Sequence, residues 1–279
     1  MQTISRRQFL YGSAVAMAAA AMKIEANPLG MPIGCQTYPL RESIGKDFEG
    51  TLHQIAGGGF RMIEMCSPTS FANSGFGPLV NMKAAEIRRM IHDAGLGCVS
   101  SHFRMEELKG QLDDRIAWAK ELGLKQMICA TMPVQHDAPM ASWLQACDDL
   151  NKIGEQTHKA GIQLGYHNHD FEFKEIDGAL IYDEMMKRLD PKLIKMQFQV
   201  AIPPQYDPVA FVAKYPGRFI SLHLSDWTAE RKEVAIGAGA IDWKKLFAAA
   251  KAGGIKNYFV EMNWDLMLAS VPYLRKLKV

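Results

Sequence analysis

One pattern recurs about every 30 residues, and it constrains the fold more than any other feature of the chain. A glycine precedes a short apolar segment in AGGGF-RMIEM, AGLG-CVSSH, LGLK-QMICA, AGIQ-LGYHN, PGRF-ISLHL and AGGIK-NYFVE. Four cysteines lie in successive apolar segments, at steps of 31, 32 and 31 residues: Cys35, Cys66, Cys98 and Cys129. A step of this length accommodates one strand, one helix and two loops.

The segments between the apolar runs predict helices. Glycine ends a helix readily because it adopts positive φ without steric cost. In NMKAAEIRRMIHDAG the residues Met82, Ile87, Met90 and Ile91 share one broad face, and ASWLQACDDLNKIGEQTHKAG and IDWKKLFAAAKAGG are similar. The predicted strands are 32–37, 60–65, 97–102, 125–131, 162–168, 193–199, 218–224 and 256–261.

Alternating strands and helices indicate parallel strand pairing. Eight such units in about 250 residues predict an α/β fold with a single domain, a (β/α)8 TIM barrel over residues 27–279. The alternative is an open doubly wound sheet, but no G-x-G-x-x-G or phosphate-loop motif favours it.

The first 26 residues have the pattern of a twin-arginine export signal. Arg6 and Arg7 precede a run of small apolar residues from Gly12 to Met22, with A-x-A cleavage choices near Ala21 or Ala26. The run is shorter than the roughly 20 residues that span a bilayer. We therefore expect a periplasmic or otherwise exported protein, with no membrane span once the signal is removed. The alternative is a helix docked on the body of the protein.

Charge and cysteine content exclude several classes of protein. Removal of residues 1–26 lowers the basic residues from 32 to 29 and the acidic residues from 30 to 29. A neutral mature chain has no basic footprint for nucleic acid. Five cysteines without a C-x-x-C pair argue against a zinc knot or a complete disulfide framework. The sequence does not determine the oligomeric state, and an oligomer is compatible with it.

Polar residues collect at the predicted carboxyl ends of the strands, where the active site of a barrel lies. They are Glu64, His102, His167, Asn168, His169, Glu172, Gln199, His223, Asp226, Glu261 and Asn263. Burying so many ionisable groups in one mouth is costly unless they share a cation or a polar substrate. Histidine with glutamate suits Mn²⁺, Mg²⁺, Co²⁺ or Zn²⁺.

The strings YHNHDFEF, KMQFQVAI, PGRFISLHLSD and GAGAIDWKKLFAAAKAGGIKNYFVEMN resemble the xylose isomerase-like barrel family of sugar isomerases and epimerases. The same superfamily includes inositol-pathway dehydratases and apurinic-site endonucleases. The resemblance implies one divalent metal, held by His223 of strand seven, Glu261 of strand eight and a residue of strand five. That residue is either His167, which stands where many relatives have glutamate, or Glu172.

Two positions depart from the family pattern. Gln199 stands where relatives have a metal-binding aspartate, so the site loses one negative charge and weaker metal binding is expected. Ser225 stands where relatives often have a lysine that meets a phosphate or an oxyanion. Its presence favours a small sugar or polyol without a phosphate as the ligand.

The resemblance implies an isomerase or epimerase that works beside a sugar carbonyl, and the signal pattern implies that it is exported. Glu261 and Glu172 are the acid–base candidates, and the metal stabilises the enediolate. Predicted substrate contacts are Glu64, His102, His169, Asp226, Tyr38 and Trp264. The alternatives are a lyase or hydratase for oxidised 3-keto-glycosides and a non-catalytic sugar-binding relative; an endonuclease, which usually has a three-metal cluster, fits poorly.

Overall fold

Eight parallel strands close into a barrel in the computed structural model, which describes residues 27–279. They are β1 (Gly34–Gln36), β2 (Met62–Cys66), β3 (Gly97–Arg104), β4 (Gln126–Thr131), β5 (Gln163–His167), β6 (Ile194–Gln199), β7 (Phe219–Leu224) and β8 (Asn257–Val260). Each strand pairs with its neighbours in sequence, and β8 pairs with β1. The predicted (β/α)8 barrel is therefore confirmed and the open sheet is wrong. The predicted export signal, residues 1–26, lies outside the described residues.

Helices surround the barrel and connect successive strands. They are α1 (Arg41–Lys46), α2 (Phe48–Gly57), α3 (Ala84–Asp93), α4 (Met105–Gly110), α5 (Leu112–Leu122), α6 (Met140–Lys159), α7 (Ile181–Arg188), α8 (Pro208–Lys214), α9 (Trp243–Ala252) and α10 (Trp264–Lys276). Two small antiparallel hairpins follow β5 and β7, and the second pairs Asp226–Trp227 with Glu233–Val234. None of the helices within residues 27–279 has the length and apolar character needed to cross a bilayer.

The glycines that punctuate the sequence repeat adopt the backbone conformation that was expected of them. All six have positive φ, between 75° and 98°: Gly59, Gly95, Gly123, Gly161, Gly217 and Gly254. Each follows a helix and directs the chain into the next strand. The repeat is therefore a local backbone signal for the helix-to-strand turns of the barrel.

The apolar core lies mainly between the strands and the helices. Ile87 and Ile91 of α3 are buried on the face that the sequence predicted, and large rings such as Trp143 of α6 and Trp243 of α9 are also fully buried. All five cysteines are free thiols, and burial raises the pKa of each. The barrel interior differs from this outer layer because polar side chains from several strands meet there.

Candidate active site

Glu64, on β2, is the centre of a polar cluster inside the barrel. Its side chain is fully buried. Five side chains contact its carboxylate: Gln36 Nε2 at 2.7 Å, Gln197 Nε2 at 2.8 Å, His223 Nε2 at 2.5 Å, His102 Nε2 at 3.1 Å, and the Ser100 hydroxyl. Burial alone would raise the pKa of Glu64, but His102 and His223 outweigh it and hold the pKa well below its usual value. Glu64 is therefore a buried negative charge.

His223 connects this interior charge to a second carboxylate. Its Nε2 faces Glu64, and its Nδ1 lies 2.9 Å from Glu261 Oε2. Burial disfavours the charged ring, but Glu261 and Glu64 prevail and raise the pKa of His223 to about 9. In the metal-free protein at neutral pH, the three groups form a carboxylate–imidazolium–carboxylate chain.

Glu261 is the member of this carboxylate–imidazolium–carboxylate series that lies at the mouth of the barrel. It directly follows β8, and its side chain is 21% exposed, whereas the side chains of Glu64 and His223 are not exposed. Gln199 Nε2 donates to Glu261 at 3.2 Å, and Ser225 donates to Gln199 Oε1 at 3.2 Å. The pKa of Glu261 is lowered because His223 outweighs the effect of burial. Glu261 is thus an ionised carboxylate within reach of a ligand at the mouth.

His223 and two neighbouring histidines form a group that can hold a metal ion. Ligand atoms of His102, His167 and His223 all lie within 4.8 Å of one another, and all three residues are buried. Burial, reinforced by the neighbouring histidine rings, holds the pKa of His167 well below its usual value, so the ring is neutral. Among the described residues, His167 Nδ1 has no hydrogen-bond partner. A buried, unpartnered nitrogen on a neutral imidazole fits a metal ligand.

His169 and Glu172 lie in the turn that follows β5. Glu172 is fully buried and accepts hydrogen bonds from Tyr166 Oη at 2.5 Å and from the His169 backbone N–H at 2.7 Å. The His169 ring stacks on Phe171, whose ring also stacks on His136. Glu172 therefore anchors the turn that carries His169. Of the two strand-five candidates, the structure brings His167, and not Glu172, into the three-histidine group.

The carboxylate of Asp226 is fully occupied by donors from the loop that follows it and from the first residue of α9. Its carboxylate accepts from the backbone N–H groups of Trp227, Gly237 and Gly239 and from Trp243 Nε1 at 2.7 Å. A Cβ on Gly239 would lie 2.1 Å from Asp226 Oδ1. The G-x-G-x-IDW motif therefore builds a clamp around Asp226, which orders the loop after β7.

The two aromatic residues predicted to contact substrate have different surroundings. Tyr38 lies just after β1, with the Arg41 guanidinium 4.6 Å from its ring centroid and Phe71 at its edge. Trp264 packs on Phe60, with 6.0 Å between the ring centroids. Trp264 thus holds α10 against the barrel, whereas Tyr38 lies beside the carboxyl end of β1.

Sequence reasoning missed the polar layer beneath the mouth. The missed residues are Gln36, Ser100, Gln197 and Ser221. Each is fully buried in a barrel strand, and Gln36, Glu64 and Ser100 are register partners on adjacent strands. Isolated polar residues in buried strands are the signal that could have identified this layer.

Comparison with known proteins agrees with this architecture. The family model for the xylose isomerase-like TIM barrel matches residues 52–271. A sugar phosphate isomerase/epimerase structure from Parabacteroides distasonis is 26% identical, with 93% of this chain and 97% of that chain covered and a TM-score of 0.74. A second from the same organism is 25% identical, with 88% and 98% covered and a TM-score of 0.72.

A third structure shows the fold at lower identity. It is a xylose isomerase-like TIM barrel protein from Mycobacterium smegmatis in complex with magnesium, 15% identical, with 90% and 97% covered and a TM-score of 0.69. A search of curated proteins found no match. Because the family model spans more than half of the residues, this chain belongs to the xylose isomerase-like TIM barrel family.

Proposed function

We propose that the protein is a sugar isomerase or epimerase in which Glu261 is the acid–base group. The observation that carries this proposal is the chain Glu261–His223–Glu64, which connects the mouth of the barrel to a buried charge. The similarity to two structures called sugar phosphate isomerase/epimerase supports the same reaction class.

The geometry suits removal of a proton from a carbon beside a carbonyl. The lowered pKa of Glu261 keeps it ionised at neutral pH, and its partial exposure lets it meet a substrate. His223 orients Glu261 through the 2.9 Å contact, and Glu64 fixes the other side of the ring. Return of the proton to the neighbouring carbon gives isomerisation, and return to the opposite face gives epimerisation.

A divalent metal fits the donors that the site offers. His102 and His167 would hold it, together with His223 once one of its ring nitrogens loses its proton and releases its carboxylate. Three imidazoles suit Zn²⁺ or Co²⁺ better than Mg²⁺. A bound ion would supply positive charge beside the oxygen on which negative charge develops. Gln199 lies next to Glu261 and is not part of the three-histidine group.

The ligand that we propose is a sugar or polyol without a phosphate. Ser225, which stands where relatives often have lysine, donates its hydroxyl to Gln199 and carries no charge. The residues that approach the mouth next to it are Gln199 and Glu261, and a carboxylate there would repel a phosphate.

Exchange of substrate hydrogen with solvent tests the proposal directly. A panel of neutral ketoses and 3-keto-glycosides in D₂O should incorporate deuterium beside the carbonyl, observed by NMR. Glu261→Gln should lower the exchange rate by roughly 10²–10⁴-fold, the usual contribution of a positioned acid–base group. Glu230→Gln, a fully exposed carboxylate on the second hairpin, is the matched control and should exchange normally.

The same experiment separates the competing functions. An unsaturated product would identify a lyase, and sugar binding without any exchange would identify a non-catalytic binding protein. Undiminished exchange in Glu261→Gln would refute the acid–base role proposed for Glu261. Elemental analysis of His167→Ala and Glu261→Gln reports the metal separately, and only the histidine variant should lose it.

We also propose that residues 1–26 direct export by the twin-arginine route. The support is the Arg6–Arg7 pair before a short apolar run. Replacement of both arginines by lysine should retain the protein in the cytoplasm, measured by cell fractionation. Unchanged export of the double variant would contradict the route.

A further inference from the structure

A separate cavity lies beside the candidate active site, between the loop after β6 and the second hairpin. Its volume is about 570 Å³, within the range of small-molecule sites. The residues that line it include Val200, which follows Gln199, and Trp227, which follows Asp226. None of the three clustered histidines lines it. A ligand that reaches beyond the mouth on this side would enter this cavity.

The side chains around the cavity combine an aromatic ring with polar groups of balanced charge. Trp227 lines it, with the Arg231 guanidinium 5.3 Å from the Trp227 ring centroid. Arg231 and Lys245 are matched by Asp207 and Asp242. An aromatic surface together with polar groups of both signs suits a neutral polyhydroxylated ring, whose hydroxyls donate and accept hydrogen bonds.

Trp227 contributes aromatic surface to the wall of the cavity. Its Nε1 is buried, so a ligand in the cavity would meet the indole ring and not this nitrogen.

Arg231 holds the two walls of the cavity together. Its Nη1 donates to the Ile202 carbonyl at 3.0 Å across the cavity, and its backbone has a φ of 63°. This left-handed conformation belongs to the tight turn of the hairpin, where the Arg231 N–H donates to the Thr228 carbonyl at 3.0 Å.

We propose that this cavity binds the second, non-reacting sugar ring of a neutral glycoside, so that the substrate is larger than one sugar unit. The inference rests on the proposed function for its reacting ring. The ring in the cavity would pack against the indole ring of Trp227. The charged groups Arg231, Asp207, Asp242 and Lys245 would bind its hydroxyls.

Calorimetric titration with neutral probes tests the subsite. Glucose is compared with cellobiose, maltose and trehalose, and at least one disaccharide should bind about tenfold tighter than glucose. Trp227→Ala should remove that advantage, and Trp227→Phe, which keeps an aromatic surface, should retain most of it. Glucose binding should change in neither variant. Trp118→Phe, a partly buried indole that packs on Phe103, is the matched control and should bind like the wild type.

A blocking variant provides a second arm if Trp227→Ala does not fold. Ala229 lines the cavity from the exposed hairpin, so Ala229→Trp should fill it and abolish the disaccharide preference alone. Equal binding of glucose and every disaccharide by the wild type, or no sugar binding at all, would overturn the subsite. Disaccharide-selective binding without hydrogen exchange would leave the subsite intact and refute only the proposed enzymatic function.

Discussion

Glu64 and Asp226 are both fully buried carboxylates, yet the protein surrounds them in opposite ways. Glu64 is contacted only by side chains, which come from four other strands and include two histidines. Asp226 is held by three backbone N–H groups and one indole, all within residues 227–243. Backbone donors cannot titrate or ligate a metal, but imidazoles can do both. The partners of a buried carboxylate thus distinguish a cluster that can titrate and ligate a metal from one that orders a loop.

The largest expected effect is on Glu64. Glu64→Ala leaves His223 without one of its two carboxylates. It also leaves several polar groups in the barrel without a hydrogen-bond partner. We expect a loss of about 3–5 kcal/mol in the free energy of unfolding, the usual cost of breaking a buried ion pair. Urea denaturation measures it. Glu121→Ala, exposed on α5, is the control and should change stability by less than about 0.5 kcal/mol.

The pH dependence of stability sharpens the comparison, because Glu64 interacts with groups whose pKa values shift on folding. The pKa values of Glu64 and Glu261 are lowered from 4.5, so their stabilisation is present above about pH 4.5 and is lost as the pH falls. The pKa of His223 is raised from 6.5 to about 9, so its stabilisation is full below about 6.5 and is lost as the pH rises through 9.

The stability difference between wild type and Glu64→Gln should therefore be largest between about pH 5 and 6.5, and roughly 3 kcal/mol at most. Urea unfolding across roughly pH 3–10, with EDTA to remove metal, measures this difference. A difference that does not vary with pH would contradict the coupling of Glu64 to His223.

A smaller effect is expected at Asp226. Asp226→Asn places an amide donor among four donors, and we expect a loss of about 1.5–3 kcal/mol, the range for hydrogen bonds to charged groups. Hydrogen exchange at the Gly237 and Gly239 amides should accelerate, which locates the loss in the loop. Asp242→Asn is the control, since asparagine caps a helix as well as aspartate does. Unchanged exchange at both glycines would refute the clamp.

The smallest expected effect comes from one methyl group in the same clamp. Gly239→Ala places a Cβ against Asp226 Oδ1 and the Trp227 carbonyl, so the loop must shift at a cost of about 1–2 kcal/mol. Gly110 of α4 has no atom near the added Cβ, and Gly110→Ala should be neutral or stabilising by about 0.4–1 kcal/mol. Thermal unfolding of the pair measures the difference. Equal melting temperatures would show that the clamp tolerates displacement.

Much of the fold could be predicted from the sequence because its signals are local. The β6 strand was expected over 193–199 and spans Ile194–Gln199, and the β7 strand was expected over 218–224 and spans Phe219–Leu224. The glycine turns and the apolar face of α3 were likewise expected. Each of these signals acts within a few residues, through allowed φ or through the helical period.

The site was predictable only in part. The position of His223 and Glu261 at strand ends follows from the barrel, but the partners of Glu172 and Asp226 do not. Glu172 turns back to Tyr166 and the His169 backbone, and Asp226 is enclosed by a loop whose path no periodicity specifies. The roles of these residues in metal or substrate binding stay predictions.

The sequence was sufficient to predict a barrel from the repeat of glycine, apolar segment and helix, and a polar mouth from the residues at the strand ends. It was not sufficient to show that Glu64 faces His223 at 2.5 Å, because these residues are 159 positions apart in the chain. Barrel closure brings them together, and the surrounding low-dielectric interior then shifts their pKa values. The elements follow from short-range backbone and side-chain preferences, whereas hydrogen-bond pairing and charge depend on distances that exist only after the barrel has closed.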